Sequence, residues 1–148
     1  DCLASKGFQT VSVQLGATTV DLINTHHEAG GGPEDDQARH SQVEQVIASI
    51  DATPDHAVIF MGDTNLRWSD PEDVDELELY QDAGLRDACT EVDCNEPDHI
   101  DRFLVRDAPG IALTVESWEN VSDTFTFAEG DPMSDHPPLA ITLSWETL

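Results

Sequence analysis

Asp63 and Asn65 place a carboxylate and a carboxamide two residues apart, directly after five apolar residues at 57–61. An apolar run of this kind predicts a strand covered on both faces of a sheet. In open α/β sheets, ligands bind beyond the carboxyl ends of the strands. Residues two apart in an extended chain face the same side. We therefore expect Asp63 and Asn65 to converge on one ligand at the end of this strand.

Ionisable side chains also fall at the ends of three other predicted strands. His26 ends the second strand of the chain, Asp101 lies in a strand predicted at 100–105, and Asp135 and His136 precede the last strand. Pro137 restricts His136 to an extended backbone and so holds its imidazole in place. The shared placement of these groups at strand ends predicts that they form a single polar site.

Each of these residues also has a structural interpretation when it is taken alone. A strand-end Asp-x-Asn is commonly a turn or a helix cap, and a single histidine is commonly a packing residue. Asp101 is adjacent to Arg102, which suggests a structural ion pair, and Asp135 with His136 suits a cap on the final strand. Only the combination favours chemistry over structure.

Phosphoester hydrolysis is the chemistry that such a combination supports. A carboxylate accepts a proton from water, a carboxamide orients that water, and further carboxylates hold a divalent ion. An imidazole held by a carboxylate stabilises or protonates phosphoryl oxygens. The rate gain in such a site comes mainly from positioning and electrostatics.

The predicted elements that position these groups follow the order ββ-α-β-α-β-β-β. Alternating apolar residues on both sides of Gly16-Ala17 predict a β-hairpin, and an i, i+3, i+4, i+7 stripe predicts a helix at 34–50. Ser69-Asp70-Pro71-Glu72 predicts the start of a short second helix that ends by Gly84. Further strands are predicted at 57–61, 100–105, 111–118 and 139–145. This order indicates a sheet with helices on one face, and we expect a second sheet, missing from this chain, to cover the other.

The composition indicates one globular domain over residues 1–148 with an extreme acidic charge. Six Lys and Arg oppose 31 Asp and Glu, for a net charge of −25. Such a surface repels polyphosphate backbones unless cations intervene. It suits a high-salt habitat, or a preference for cationic or neutral substrates and divalent ions. No segment approaches the roughly 20 apolar residues of a membrane span.

The three cysteines and the first residue indicate how the protein is processed and where it is located. Cys89 and Cys94 lie close enough in sequence to clip a loop, which leaves Cys2 over. The chain starts at Asp1 without a methionine, so we expect a processed, truncated or fragmentary chain. Together with the sequon Asn120-Val121-Ser122, these features favour a secreted or extracellular protein.

Read in order, the motifs resemble the endonuclease/exonuclease/phosphatase (DNase I-like) superfamily. They are Asn24-Thr25-His26, Arg39-x-x-Gln42, Gly62-Asp63-Thr64-Asn65, Gly84-Leu85-x-Asp87-Ala88, Ile100-Asp101-Arg102 and Ser134-Asp135-His136-Pro137. The resemblance implies the carboxyl-terminal half of a four-layer αββα sandwich. The expected fold class is therefore α/β (α+β), with one mixed, mostly antiparallel sheet and helices on one face.

The resemblance also implies roles for particular residues. Asp63 would be the base or water-positioning group, and Asn65 its partner on water or phosphate. His136, oriented by Asp101, would be the phosphate-side histidine, and His26 the second one. Asp135 and Asp63 would bind a divalent metal, with Mg²⁺ expected and Ca²⁺ or Mn²⁺ as alternatives. Arg39 and Gln42 would be structural.

The principal metal ligand of the family, a Glu, belongs to the amino-terminal half and has no counterpart that can be assigned in this chain. We therefore expect a complementary amino-terminal half as a partner. The expected substrate is a phosphoester: a nucleic acid, a lipid head group or a small molecule. The alternative is an inactive binding or regulatory module of the same fold. A third interpretation, an acidic calcium-binding export protein, lacks any EF-hand-like spacing.

Overall fold

The computed structural model describes residues 6–96 and 98–148, so Cys2 lies outside the described residues. The helices are α1 (Pro33–Asp51), α2 (Pro71–Asp82) and α3 (Ala88–Glu91), with one 3-10 turn, η1 (Ser122–Thr124). The strands are β1 (Gly7–Leu15), β2 (Thr18–His26), β3 (Ala57–Asp63), β4 (Arg86–Asp87), β5 (Asp101–Arg106), β6 (Ile111–Asn120) and β7 (Leu139–Thr147). No helix among the described residues is long and apolar enough to cross a membrane.

Five strands form one mixed sheet in the order β1-β2-β3-β5-β4. β2 and β3 are parallel, and the other three pairings are antiparallel. The predicted hairpin is confirmed, with Gly16 in the left-handed conformation (φ 63°) between β1 and β2. The mixed, mostly antiparallel sheet expected from the sequence is therefore present, and β3 lies at its centre.

Helices α1 and α2 cover one face of this sheet. The stripe predicted in α1 places Val43, Val46 and Ile50 in the core against Ile23 of β2 and Phe60 of β3. Proline begins both helices, where its missing N–H costs nothing. Asp70 caps α2 by accepting a hydrogen bond from the Glu72 N–H. The two helices are thus fixed by apolar burial and by local capping together.

Strands β6 and β7 form a separate two-stranded sheet on the opposite face. Its inner residues, including Ile111 and Leu113, form a second apolar cluster with Val20 and Val105 of the large sheet. The expectation that the second sheet lies wholly outside this chain is therefore wrong in part. Two of its strands are here, because the alternating pattern of β6 buries every second side chain against the first sheet.

This second layer covers the large sheet unevenly. Val11 of β1 lies on the covered side of the sheet, yet it is 59% exposed. Met61 and Phe103, in neighbouring strands of the same face, are partly exposed. The face therefore remains open toward the ends of β2 and β3 that carry His26 and Asp63.

Two short elements, β4 and α3, were not predicted. Asp87 ends β4 and caps α3, since one of its carboxylate oxygens accepts the N–H groups of Cys89 and Thr90. A disulfide then joins Cys89 to Cys94, as the spacing allowed. Elements of two and four residues carry no periodic signal, which explains why the sequence pattern does not reveal them.

Candidate active site

The strand register brings three predicted site residues into one row. His26 of β2 is paired with Asp63 of β3, and Asp63 is paired with Asp101 of β5. Side chains in such a row point to the same face of the sheet, here the face opposite α1 and α2. The His26 Nε2 lies 3.4 Å from the Asp63 Oδ2. The two strands that flank β3 thus aim an imidazole and a second carboxylate at Asp63.

His136 reaches the same row from the loop before β7. Its Nδ1 lies 2.8 Å from the Asp101 Oδ2, and its Nε2 lies 3.8 Å from the Asp63 Oδ2. The hydrogen bond to Asp101 raises the pKa of His136 above its usual value, against a smaller opposing effect of burial. A raised pKa favours the imidazolium at neutral pH. The geometry leaves Nε2 as the nitrogen that faces the site.

Asn65 holds Asp63 through its backbone. Its N–H donates to the Asp63 Oδ1 at 2.9 Å, and its side-chain amide donates to the His27 carbonyl at 3.2 Å. Asn65 has a φ of 52°, in the left-handed region, which Asn tolerates better than most residues. Asp63 and Asn65 are therefore joined through the Asn65 backbone, and the Asn65 amide nitrogen is already used by the loop.

Gly62 permits the close approach of β2 and β3 at the site. Its φ is 134°, and a Cβ added there would lie 2.0 Å from the Thr25 carbonyl oxygen. No side chain fits at this distance. The glycine of the Gly-Asp-x-Asn motif is therefore required by the strand pairing that positions Asp63.

Buried side chains support the loop that follows His26. His27 is 1% exposed, its Nε2 lies 3.3 Å from the Tyr80 hydroxyl, and burial lowers its pKa to about 4. Gln42 accepts the Glu28 N–H, and Arg39 donates to the Gly30 carbonyl at 2.7 Å. Arg39 and Gln42 hold the backbone of this loop, in the structural position predicted for them.

Arg102 lies beneath the site on the helix side of the sheet. It is 1% exposed, pairs with Asp87 at 2.9 Å, and donates to the Leu66 carbonyl at 3.1 Å. The suggested ion pair between Asp101 and Arg102 is therefore wrong. Adjacent residues in a strand point to opposite faces, so Asp101 meets His136 and Arg102 meets Asp87.

One group of side chains in the row has the spacing of a metal site. Asp63, Asp101 and His136 offer ligand atoms within 4.8 Å of one another. Asp135, predicted as a metal ligand, is exposed and does not belong to this group. A second group, Asp87, Cys89 and His99, is also close, but Cys89 is in the disulfide and Asp87 pairs with Arg102. Two members of the second group are thus held by other bonds, and the first group is the better metal candidate among the described residues.

Sequence reasoning missed Lys6, which contacts the site from the start of β1. Its Nζ lies 2.9 Å from the His26 Nε2. The available signal was that Lys6 is the single lysine of the chain. It also immediately precedes Gly7, which pairs with His26 across the hairpin.

An apolar cavity of about 510 Å³ adjoins His136. Its walls include Phe125, Met133, Pro137 and Pro138. Phe125 and Met133 are 50% and 55% exposed, although the surrounding surface is strongly acidic. The site therefore has an apolar wall beside His136 and a cation beside His26.

Comparison with known proteins identifies relatives of this chain. The model of endonuclease/exonuclease/phosphatase family 2 matches residues 1–86. A sphingomyelinase of Mycobacterium tuberculosis is 34% identical over 156 residues, which cover 95% of this chain and 31% of that protein. The chain thus spans about a third of the length of the curated relatives it matches.

Solved structures share the fold. D. rerio TDP2 in complex with a single-strand DNA product matches with a TM-score of 0.78 at 22% identity, over 94% of this chain and 62% of that one. A variant of beta toxin from Staphylococcus aureus with bound magnesium ions has a TM-score of 0.51 at 16% identity, over 76% and 47%. At such identities the likeness is one of fold.

Proposed function

The chain belongs to the endonuclease/exonuclease/phosphatase family, and on that premise we propose that it is the carboxyl-terminal half of a metal-dependent phosphoester hydrolase. The observation that carries the proposal is the row of His26, Asp63 and Asp101, joined by His136 through its 2.8 Å hydrogen bond to Asp101. A carboxylate base flanked by a held imidazole and a second histidine is a set of groups that can hydrolyse a phosphoester.

Asp63 is the proposed base. Its Oδ1 is held by the Asn65 N–H, while its Oδ2 faces both His26 and His136. The held oxygen fixes the carboxylate plane, so Oδ2 is the atom that accepts a proton from the attacking water. Asn65 acts through its backbone N–H, which positions Asp63, and through its amide oxygen, which is available to water.

His136 is the proposed group on the phosphoryl oxygens. In the imidazolium form, the Nδ1–H donates to Asp101 and the Nε2–H is directed at the substrate. The imidazolium stabilises negative charge as it develops on the phosphoryl group. His26, on the opposite side of Asp63, contacts the same phosphate from the β2 side.

A divalent metal fits this proposal chemically. The carboxylate oxygens of Asp63 suit Mg²⁺, which prefers a few carboxylates together with water and substrate phosphate. His136 and Asp101 are engaged with each other, and the candidate group contains no Glu. We therefore propose Asp63 as a metal ligand from this chain. Asp135, which immediately precedes His136, is the second candidate, and a Glu is expected outside this chain. The bound ion would neutralise phosphate charge and activate water.

We propose that the complementary amino-terminal half packs on the open face of the large sheet. Val11 is 59% exposed there, and Trp145 of β7 is 53% exposed. Exposed apolar residues on a sheet face that is otherwise covered favour an apolar partner layer. The relatives, about three times as long, have enough chain for such a layer.

A phosphodiester with a lipid head group is the proposed substrate class. The sphingomyelinase is a relative that aligns with almost the whole chain. The apolar cavity beside His136 suits the uncharged part of such a molecule. Nucleic acid is disfavoured because four of the six cationic side chains are already paired with carboxylates.

The test is hydrolysis of bis(para-nitrophenyl) phosphate by the chain alone and joined to the amino-terminal half. We expect metal-dependent turnover by the joined protein, which EDTA removes and Mg²⁺ restores, and little turnover by residues 1–148. Robust turnover by the isolated chain would contradict the need for a second half. A joined protein that binds Mg²⁺ but cleaves no phosphodiester would instead favour the binding-module alternative.

The pH dependence should reveal the His136–Asp101 pair. The raised pKa of His136 means that the imidazolium persists below that pKa and is lost as the pH rises through it. Activity should therefore fall on an alkaline limb above about 6.5, the ordinary histidine value. Asp101→Asn removes the carboxylate and should move this limb to lower pH. Profiles of kcat/KM against pH for both proteins measure it, and an unmoved limb would contradict the role of His136.

A further inference from the structure

Lys6 contacts His26, the neighbour of the proposed catalytic carboxylate Asp63. Its Nζ lies 2.9 Å from the His26 Nε2, and that same nitrogen lies 3.4 Å from the Asp63 Oδ2. An ammonium group only donates hydrogen bonds, so Lys6 requires a lone pair on Nε2, whereas Asp63 requires a proton there. The two contacts compete for one atom. An anion that took over the ammonium would relieve this competition.

The other cationic side chains have partners elsewhere. Arg39, Arg86, Arg102 and Arg106 pair with carboxylates, and Arg67 donates to the Asp98 carbonyl. Within residues 6–96 and 98–148, the structure pairs Lys6 with no carboxylate. A phosphoester that enters beside Asp63, Asp101 and Asp135 meets three negative groups. Among the Lys and Arg side chains of the described residues, Lys6 is the one that contacts the site and can oppose this charge.

A polar groove leads from Lys6 to the site. Gly7 pairs with His26 and so occupies the fourth position of the row that His26, Asp63 and Asp101 form. A Cβ added at Gly7 would meet nothing within 4 Å, so this position is open. The groove has a volume of about 350 Å³, and its walls include Gln9 and Asn24 as well as Lys6 and His26.

We propose that Lys6 binds an anionic oxygen of the phosphoester from the His26 side, and that the groove beside Gly7 holds the polar group attached to that phosphate. This inference rests on the proposed function, for which it names a binding residue and a substrate subsite. On binding, the ammonium donates its hydrogen bond to the phosphate oxygen instead of to the His26 Nε2. The His26 Nε2 is then available to Asp63 or to the substrate.

The first test uses inorganic phosphate as the probe and needs no turnover. Phosphate is titrated into the chain while the imidazole resonances of His26 and His136 are followed by NMR. Lys6→Met should weaken phosphate binding by about tenfold, the effect of one charge-assisted hydrogen bond at a partly exposed site. Lys6→Arg should retain most of the affinity. Arg106→Gln removes the same charge at the far end of the sheet and should bind as the parent does.

Equal phosphate affinity in Lys6→Met and the parent chain would overturn the inference, as would a parent chain that binds no phosphate. A second test uses the chain joined to its amino-terminal half. Gly7→Leu fills the groove without a steric clash at Cβ and should raise KM for a diester with a polar head group more than it lowers kcat. If the joined protein has no activity while the phosphate result holds, the proposed function fails and the anion site stands.

Discussion

Asp63→Asn should lower kcat for phosphodiester hydrolysis by about a thousandfold in the chain joined to its amino-terminal half, within the range that general bases contribute. The amide oxygen of the new side chain can still accept the Asn65 N–H that holds Oδ1 at 2.9 Å. The position facing His26 and His136, however, loses its charge and its basicity. Thermal unfolding should change little, so that a loss of rate reports chemistry and not folding.

The control for Asp63→Asn is Asp123→Asn. Asp123 lies in the exposed 3-10 turn η1 before the loop of His136, and its substitution makes the same change in net charge. Steady-state rates with bis(para-nitrophenyl) phosphate at saturating Mg²⁺ compare the two variants with the parent protein. If both variants kept the parent rate, Asp63 would not be the base and the proposed mechanism would fail.

Arg102→Met should destabilise the fold by about 3–5 kcal/mol, because it leaves the buried Asp87 carboxylate without its partner. Arg102 is 1% exposed and Asp87 is 8% exposed, and their charged atoms lie 2.9 Å apart. The substitution also frees the Leu66 carbonyl, which accepts a hydrogen bond from Arg102 at 3.1 Å. Chemical denaturation of the chain, followed by circular dichroism, measures the change in the free energy of unfolding.

Two further variants separate the charge effect from the loss of packing. Arg102→Met with Asp87→Asn removes the uncompensated charge, while the Asn oxygen can still cap α3, so about half of the lost stability should return. Arg67→Met removes an exposed arginine with a single bond to the Asp98 carbonyl and should change stability by less than about 0.5 kcal/mol. A full loss in the double variant would show that packing, and not charge, explains the effect of Arg102.

The sequence predicted the central strand and the motif after it because both are local signals. Five apolar residues before Gly62 predict a buried strand, and β3 runs from Ala57 to Asp63. The stripe in α1 predicted the helix face that packs on this strand. Burial of apolar residues is periodic along the chain, so the elements that depend on it are visible in the sequence.

The sequence pattern did not predict which partner each charged side chain contacts. His136 and Asp101 are 35 residues apart and meet at 2.8 Å. Arg102 pairs with Asp87 and not with adjacent Asp101, and Lys6 reaches His26 across the β-hairpin. Such contacts follow from strand register and sheet order, which place residues of distant segments in one row. No sequence period encodes that arrangement.

The sequence by itself thus determined which residues are available for chemistry and at which strand ends they lie. The tertiary structure decided which of them meet: it joined Asp63, Asp101 and His136, left Asp135 outside their group, and added Lys6. The physical reason is the separation along the chain over which each effect acts. The apolar pattern that indicates burial repeats along one helix or strand, whereas a charge interacts with whatever the fold brings within a few ångströms.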